Sequence, residues 1–188
     1  MKVKSIFNRC RAAVFFFCSA VLLVCSSWTN LKEYFTALGG SVKPIGRVHF
    51  LFVDEATGAV RDGGWHPNLV TTAGKNHIAD QLSGRTQAAM SHMAVGTGTT
   101  AALASDTALQ TELDRNELDS VVQGTDSDAN KITYTCTWAA GDGTGALTEA
   151  AIFNSPSAGQ MLCRSVYPVK NKETGESMVL TWVLTISS

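Results

Sequence analysis

The sequence predicts a mainly β protein, an antiparallel β-sandwich or partly closed barrel with one short helix, preceded by an apolar N-terminal segment. Three observations carry that prediction. In Lys131 to Ala139, residues Ile132, Tyr134, Cys136 and Trp138 alternate with Thr133, Thr135 and Thr137, and Met178 to Ile186 repeats the alternation around Leu180, Trp182 and Leu184. A period of two puts one set of side chains on a core face and the other in water. The polar residues of the C-terminal two thirds are mostly Thr, Ser, Asn, Gly and Asp, which suit strand faces and turns better than long surface helices. Short apolar runs recur with turn signals between them, as in a sandwich or barrel.

The elements follow in order. The domain is expected over 46–188, opening with a strand in which Val48, Phe50 and Phe52 alternate with His49, Leu51 and Val53, and Asp54-Glu55-Ala56-Thr57-Gly58 supplies a hairpin turn. A returning strand spans about Ala59 to Val70, where the Gly63-Gly64 pair marks a bulge or sharp bend. One helix of about three turns follows. Thr71 or Thr72 caps it, Ile78, Ala79 and Leu82 share a face, and Gly84 sits where a left-handed residue is wanted. Met90 to Val95 reads as a short strand, GTGTTAALASD as a flexible loop, and Thr107 to Glu112 as a turn or brief helical segment. Further strands are expected at Lys131 to Ala139, Ala146 to Phe153, Met161 to Val169 and Met178 to Ile186, separated by glycine-rich or polar turns.

A chain of 188 residues, 45% of them hydrophobic, can bury one ordinary core, so one domain plus an appendage is expected. Fifteen Lys and Arg against 16 Asp and Glu leave no basic excess to neutralise a phosphate backbone, which argues against nucleic acid as a partner. The appendage is a signal-like or membrane-anchor segment over 1–29 and a linker over 30–45, the latter with a possible short helix before Gly39-Gly40-Ser41. Lys2, Lys4, Arg9 and Arg11 precede Ala12 to Cys25, a run without a charge. That is the layout of a secretory signal, and it falls short of the roughly 20 residues of a comfortable membrane span unless Ser26 to Leu31 extend it. Val24 before Cys25 fits a lipoprotein site poorly. A membrane is a partner only if residues 12–28 are retained. Val42 is an alternative start: a GTG codon there would begin the protein Met-Lys-Pro-Ile-Gly-Arg and omit the apolar run.

No catalytic, cofactor-binding or metal-ligating residues are expected. The sequence has no GxSxG elbow, no CxxC pair and no HExxH, and His49, His66, His77 and His92 fall on different elements as edge or surface residues, so that His77→Ala should do little. Cys136 and Cys163 read as small buried hydrophobes that could form at most one bridge with each other. Gly96-Thr97-Gly98 and Gly141 to Gly145 lack the lysine and following helix of a phosphate loop and read as tight turns. Asp126 and Asp128 read as a solvated hairpin tip rather than a calcium site. Glu149, inside the apolar LTEAAIF strand, either faces solvent or pairs with a base such as Arg164 on the next strand, and the cross-strand pair is the expectation. Core packing is expected to account for Trp65, Trp138, Tyr134, Phe153, Tyr167 and Trp182.

The order of segments carries more than any single residue: NLVTTAGKNHIADQL, then MSHMAVGTGTTAALASDTALQTEL, then TYTCTWAAGDGTGALTEAAIFN, then MLCRSVYPVKNK, then LTWVLTIS. This succession, over about Val48 to Ser188, resembles the small structural proteins of tailed-bacteriophage virions. In that family a VGTGTT-like loop precedes a D-x-A-L-x-x-E segment, and a T-E-A-x-I-F strand precedes an arginine-bearing one. It also resembles the domains by which tail or collar fibres attach to the particle. The resemblance implies a non-catalytic virion role, in a tail fibre, baseplate, collar or capsid decoration. It implies assembly in the host cytoplasm, with other virion proteins and with copies of the same chain as partners and no small-molecule substrate. The signal-like segment departs from that pattern. It suits the alternative, an exported or membrane-anchored bacterial envelope β-sandwich used in adhesion; a glycan hydrolase would rest only on the presence of Asp and Glu.

Overall fold

Period-two patterning produces strands wherever one face finds a core, and here it produces ten. A computed structural model describes residues 42–187, in which Lys43–Ser187 form one compact unit. The signal-like segment, the alternative start's upstream residues and the expected helix and linker before Ser41 lie outside the described residues. The strands are β1 (Lys43–Asp54), β2 (Val60–Pro67), β3 (Leu69–Val70), β4 (His92–Gly96), β5 (Glu112–Glu117), β6 (Ser120–Gln123), β7 (Lys131–Trp138), β8 (Gly145–Phe153), β9 (Met161–Lys172) and β10 (Glu176–Ser187), with α1 (Thr72–Leu82) after β3. They make two antiparallel five-stranded sheets, ordered β2-β1-β10-β7-β6 and β3-β9-β8-β4-β5, which pack as an open sandwich rather than a barrel.

The core lies between the sheets. From the first sheet it takes Val48, Phe50 and Phe52 of β1, Tyr134, Cys136 and Trp138 of β7, and Met178, Leu180, Trp182 and Leu184 of β10, all buried. Met93, Val95, Leu147, Ala150, Ile152, Leu162 and Cys163 answer from the second. Both sides of the sandwich are bridged by chain that changes sheets. The Asn68 amide donates to the Gly46 carbonyl of β1, while the next residue, Leu69, already pairs with Arg164 of β9. Leu118 donates to Ser91 beside β4, and Asp119 donates to Thr135 of β7. The second strand is thus not continuous from Ala59 to Val70 as the sequence suggested; it breaks at Asn68 because its two halves serve different sheets.

Local chemistry explains the turns. The Asp54 carboxylate accepts from the amides of Ala56 and Thr57, and Gly58 follows at φ 69°. Gly63 is the extra residue of a bulge opposite Phe50 and Leu51: it lies against the Phe50 and Phe52 side chains, where a Cβ would collide, and Gly64 takes φ 79°. Thr71 caps α1 by accepting from the Gly74 amide at 2.9 Å, and its hydroxyl donates to the Met161 carbonyl. Gly74 packs directly on the Leu162 backbone, which leaves no room for a side chain.

Three other expectations need correction, and β1 extends back to Lys43, ahead of the expected start near Gly46, because Lys43 to Ile45 pair with Thr185 to Ser187. Leu82 is 86% exposed and the helix buries His77 instead, whose Nδ1 lies 3.1 Å from Gln160 Oε1; His77→Ala therefore removes a buried, hydrogen-bonded ring. Residues Thr107 to Thr111 form bends, not a helix, and Glu112 starts β5. Trp65 lies on the outer face of the first sheet, 43% exposed, and is not core.

Trp138→Ala and Trp182→Ala each empty a fully buried site in the cluster that joins the sheets. Each is expected to cost about 3–5 kcal/mol, enough to unfold or aggregate a domain of this size. Urea unfolding checks this, and a soluble Trp182→Ala protein that melts cooperatively near the parent temperature would refute it.

Candidate functional site

The second sheet is apolar on both faces, so its outer face also needs cover. On that side Ala94, Ala151, Phe153 and Met161 form a second buried cluster with Leu109, which belongs to the long connection between β4 and β5. Glu149 of β8 and Arg164 of β9 project from the same face. Their register is diagonal, with Ala151 opposite Arg164 and Glu149 opposite Val166.

Glu149 has no exposure to solvent, and its four acceptor positions are filled. Oε1 accepts from the amides of Gly98 (2.9 Å) and Thr111 (2.7 Å); Oε2 accepts from the Gln110 amide (3.0 Å) and Arg164 Nε (2.9 Å). Arg164, 2% exposed, uses the rest of its fork on Asp106 Oδ2 (2.8 Å) and the Thr100 carbonyl (3.0 Å). Thr148 Oγ1 donates to the Gly98 carbonyl, and Tyr167 Oη reaches the Glu149 carbonyl from the core side. A carboxylate offers about four lone-pair sites, so Glu149 has none left to take a proton from a substrate. The cluster stitches the Thr97–Thr111 connection to the sheet, and glycine is needed at position 98 because a side chain there would strike the Glu149 carboxylate.

The cross-strand pair expected from the sequence is therefore present. The reading of GTGTTAALASD as a flexible loop is overturned, because backbone amides of this connection are what solvate Glu149. Asp106 was missed as the second carboxylate on Arg164. Its signal was the D-x-A-L spacing, read as a motif of the resemblance and not as a charge partner; two glycines two residues apart, Gly96 and Gly98, marked the close approach.

The remaining candidates do not come together. Cys136 and Cys163 are buried and unbridged, on β7 and β9 of opposite sheets. Burial pushes the Cys136 thiol up to about 12, helped by the charges of Asp119 and Asp114, and raises the Cys163 thiol further. Gly141 to Gly145 is a turn with positive φ at Gly141, Gly143 and Gly145, but Gly96-Thr97-Gly98 is not the tight turn expected: Gly96 ends β4, paired with Glu149, and Gly98 donates its amide to the Glu149 carboxylate. Asp126 and Asp128 form an exposed 3-10 turn, with Asp128 paired to Lys131. His49 pairs with Asp62, and His92 Nδ1 meets Ser91 Oγ. Among the described residues no group of three or more His, Cys, Asp or Glu side chains is arranged to hold a metal ion. An open groove of about 450 Å³ lies between β2 and β9, lined by Arg61, Asp62, Lys170, Glu173 and Glu176. Two of its charges pair with each other, Arg61 with Glu176 at 2.8 Å, and Arg61 also stacks on Phe52, while Asp62 accepts from His49 and the Gly64 amide.

No protein-family model matches the sequence, and neither a curated protein nor a solved structure matches it.

Three outcomes follow from this geometry. Arg164→Met leaves Glu149 buried without its cation and is expected to cost about 3–5 kcal/mol. The loss should appear in urea unfolding together with faster amide exchange over residues 97–111, and an unchanged exchange pattern there would refute the stitching role. Thiol reagents should label Cys136 and Cys163 only under denaturant; rapid modification of both in the native protein would place those strand faces wrongly. His66 supplies the pH dependence. Its ring packs against Phe50 (5.8 Å) and Tyr167 (5.4 Å), and burial, with the charges of Lys170 and His49, holds its pKa below the ordinary value of 6.5 despite a bond to the Gly63 carbonyl. The folded state thus binds fewer protons than the unfolded chain, and this group's contribution is complete above about pH 6.5 and is lost as pH falls through the lower folded value. Melting temperature should drop from pH 7.5 to 5.5, and His66→Gln should flatten the drop; equal slopes would rule His66 out as the cause.

Proposed function

We propose that the chain is a non-catalytic structural protein of a tailed-bacteriophage virion, in a tail fibre, baseplate, collar or capsid decoration, where it assembles with other virion proteins and with copies of itself. One observation carries the reading. Three of the five segments on which the resemblance rests meet in a single buried network: Gly98 and Thr100 of VGTGTT with Asp106 and Gln110 of the D-x-A-L-x-x-E run that follows it, Glu149 of TEAAIF, and Arg164 of the arginine-bearing strand. A set of residues that builds one scaffold has a reason to occur together. The most deeply buried charges of the domain are spent on architecture, which suits a particle component better than a catalyst.

Mass spectrometry of purified particles tests this. The protein is expected in intact virions at structural copy number, and its absence from them would overturn the proposal. The apolar run Ala12 to Cys25 favours a second reading, an exported or anchored envelope protein of a bacterium used in adhesion. Recovery of the protein in a bacterial envelope fraction, with none in particles, would decide for it.

A further inference from the structure

The second sheet has its outer face covered by α1 and the Thr97–Thr111 connection; among the described residues nothing covers the outer face of the first. We propose that this face is where two copies of the chain stack, about a twofold axis that lies between the sheets and crosses the strands. The proposal deepens the self-assembly part of the reading above and rests on it for its biological setting.

The composition of the face sets it apart from an ordinary wet one. Residues that alternate with the core set are Ile45, Leu51, Val53, Val179 and Val183, with threonines of β7 and β10 between them and Trp65 at the β2 edge. Ile45 is 55% and Trp65 43% exposed. A water-facing antiparallel sheet normally turns polar residues outward, and here apolar side chains flank a polar row through His49 and Thr181 on both sides, a mix that marks an interaction surface. Roughly 20 side chains point outward here, and a standard interface takes about 20–30 residues from each partner.

Charge decides the occupant and the orientation. Lys43, Arg47 and Lys131 gather at the end of the face where β1 begins, since Lys43 pairs with Ser187, Arg47 with Val183, and Lys131 with Thr185. Asp62 and Asp119 lie toward the other end, Asp62 opposite Leu51 and Asp119 bonded to Thr137. Arg47 has no carboxylate partner among the described residues, its guanidinium resting 4.2 Å from the Trp65 ring centre, and the Asp62 side chain, although bonded through Oδ1 to His49 and the Gly64 amide, is 69% exposed. The row Trp65, His49, Thr181, Thr135 runs across the sheet between the two ends. A twofold axis over that row puts the Val183 row against the Val179 row of the copy. The same rotation carries the Arg47 corner over the copy's Asp62 corner, while Lys131 stays paired with Asp128 of its own chain. An axis along the strands would instead set basic end on basic end. Of these two axes only the one across the strands makes the surface self-complementary, as an isologous contact requires. Stacked sheets lie about 10 Å apart, a spacing that valine and threonine side chains fill.

Sedimentation of the full chain tests the contact. The parent protein is expected to be dimeric at micromolar concentration. Arg47→Glu and Asp62→Lys should each weaken the dimer at least tenfold, and the double variant should recover it, because the swap restores both contacts. Asp62 also accepts from the Gly64 amide, so a second probe keeps the test decisive should Asp62→Lys fail to fold. In Thr181→Cys, a short bis-maleimide should join two copies through position 181, which faces itself across the axis, as read by mass spectrometry of the linked peptide. A monomeric parent protein would overturn the proposal. So would a dimer that is indifferent to Arg47→Glu and yields no link between the two positions 181. Particle composition is a separate measurement: absence from virions with the dimer intact would sink the virion reading and leave this interface standing.

Discussion

A carboxylate taken wholly out of water costs several kcal/mol unless its lone pairs and its charge are both answered, and Glu149 is answered from three directions. Arg164 meets the charge from the neighbouring strand, the amides of Gly98, Gln110 and Thr111 meet the lone pairs from the covering connection, and Asp106 shares the guanidinium at the rim. That single requirement fixes the path of a long segment with no regular structure. It also gives the second sheet its third layer, because Leu109 can reach Ala151 and Phe153 only when the segment on which it sits is held down.

The same economy appears at the sides of the sandwich. Chain that changes sheets at Asn68 and between Leu118 and Asp119 ties the layers together covalently where an open sandwich would otherwise separate. The core tolerates some imperfection in return. The indole N–H groups of Trp138 and Trp182 are buried without an acceptor, each a cost of about 1–3 kcal/mol, and the apolar area those two rings bury offsets it. Lys172 is the exception among lysines: it is buried, donates to the carbonyls of Ala139 and Glu176, and burial lowers its pKa.

The asymmetry between the two outer faces links architecture to assembly. One face is sealed by the protein's own chain through buried charge. The other keeps Trp65, Ile45 and Val183 in reach of solvent, with basic and acidic residues sorted to opposite ends. A module sealed on one side and open on the other fits the assembly proposed above, and the two faces are built from different residues, so either can be altered without the other.

Strand identity was legible at β1, β7 and β10 because a period of two is a local property: Tyr134, Cys136 and Trp138 had to face one way whatever lay opposite, whereas the polar run of β5 and the four residues of β6 were not read as strands. Turn chemistry was legible for the same reason at Asp54 to Gly58, at the Gly63 bulge and at the Thr71 cap. Pairing of Glu149 with Arg164 was accessible because the two sit on consecutive strands. Residues whose neighbours are distant in sequence were not legible. His77 is bonded to Gln160, Trp65 is left outside because its register beside His49 puts it on the face that nothing covers, and the Thr97 to Thr111 connection is held by Glu149, far along the chain. Alternation determines which side chains share a face; only the assembled sheets determine which faces are covered, because burial is a property of the surface that arrives from elsewhere in the chain.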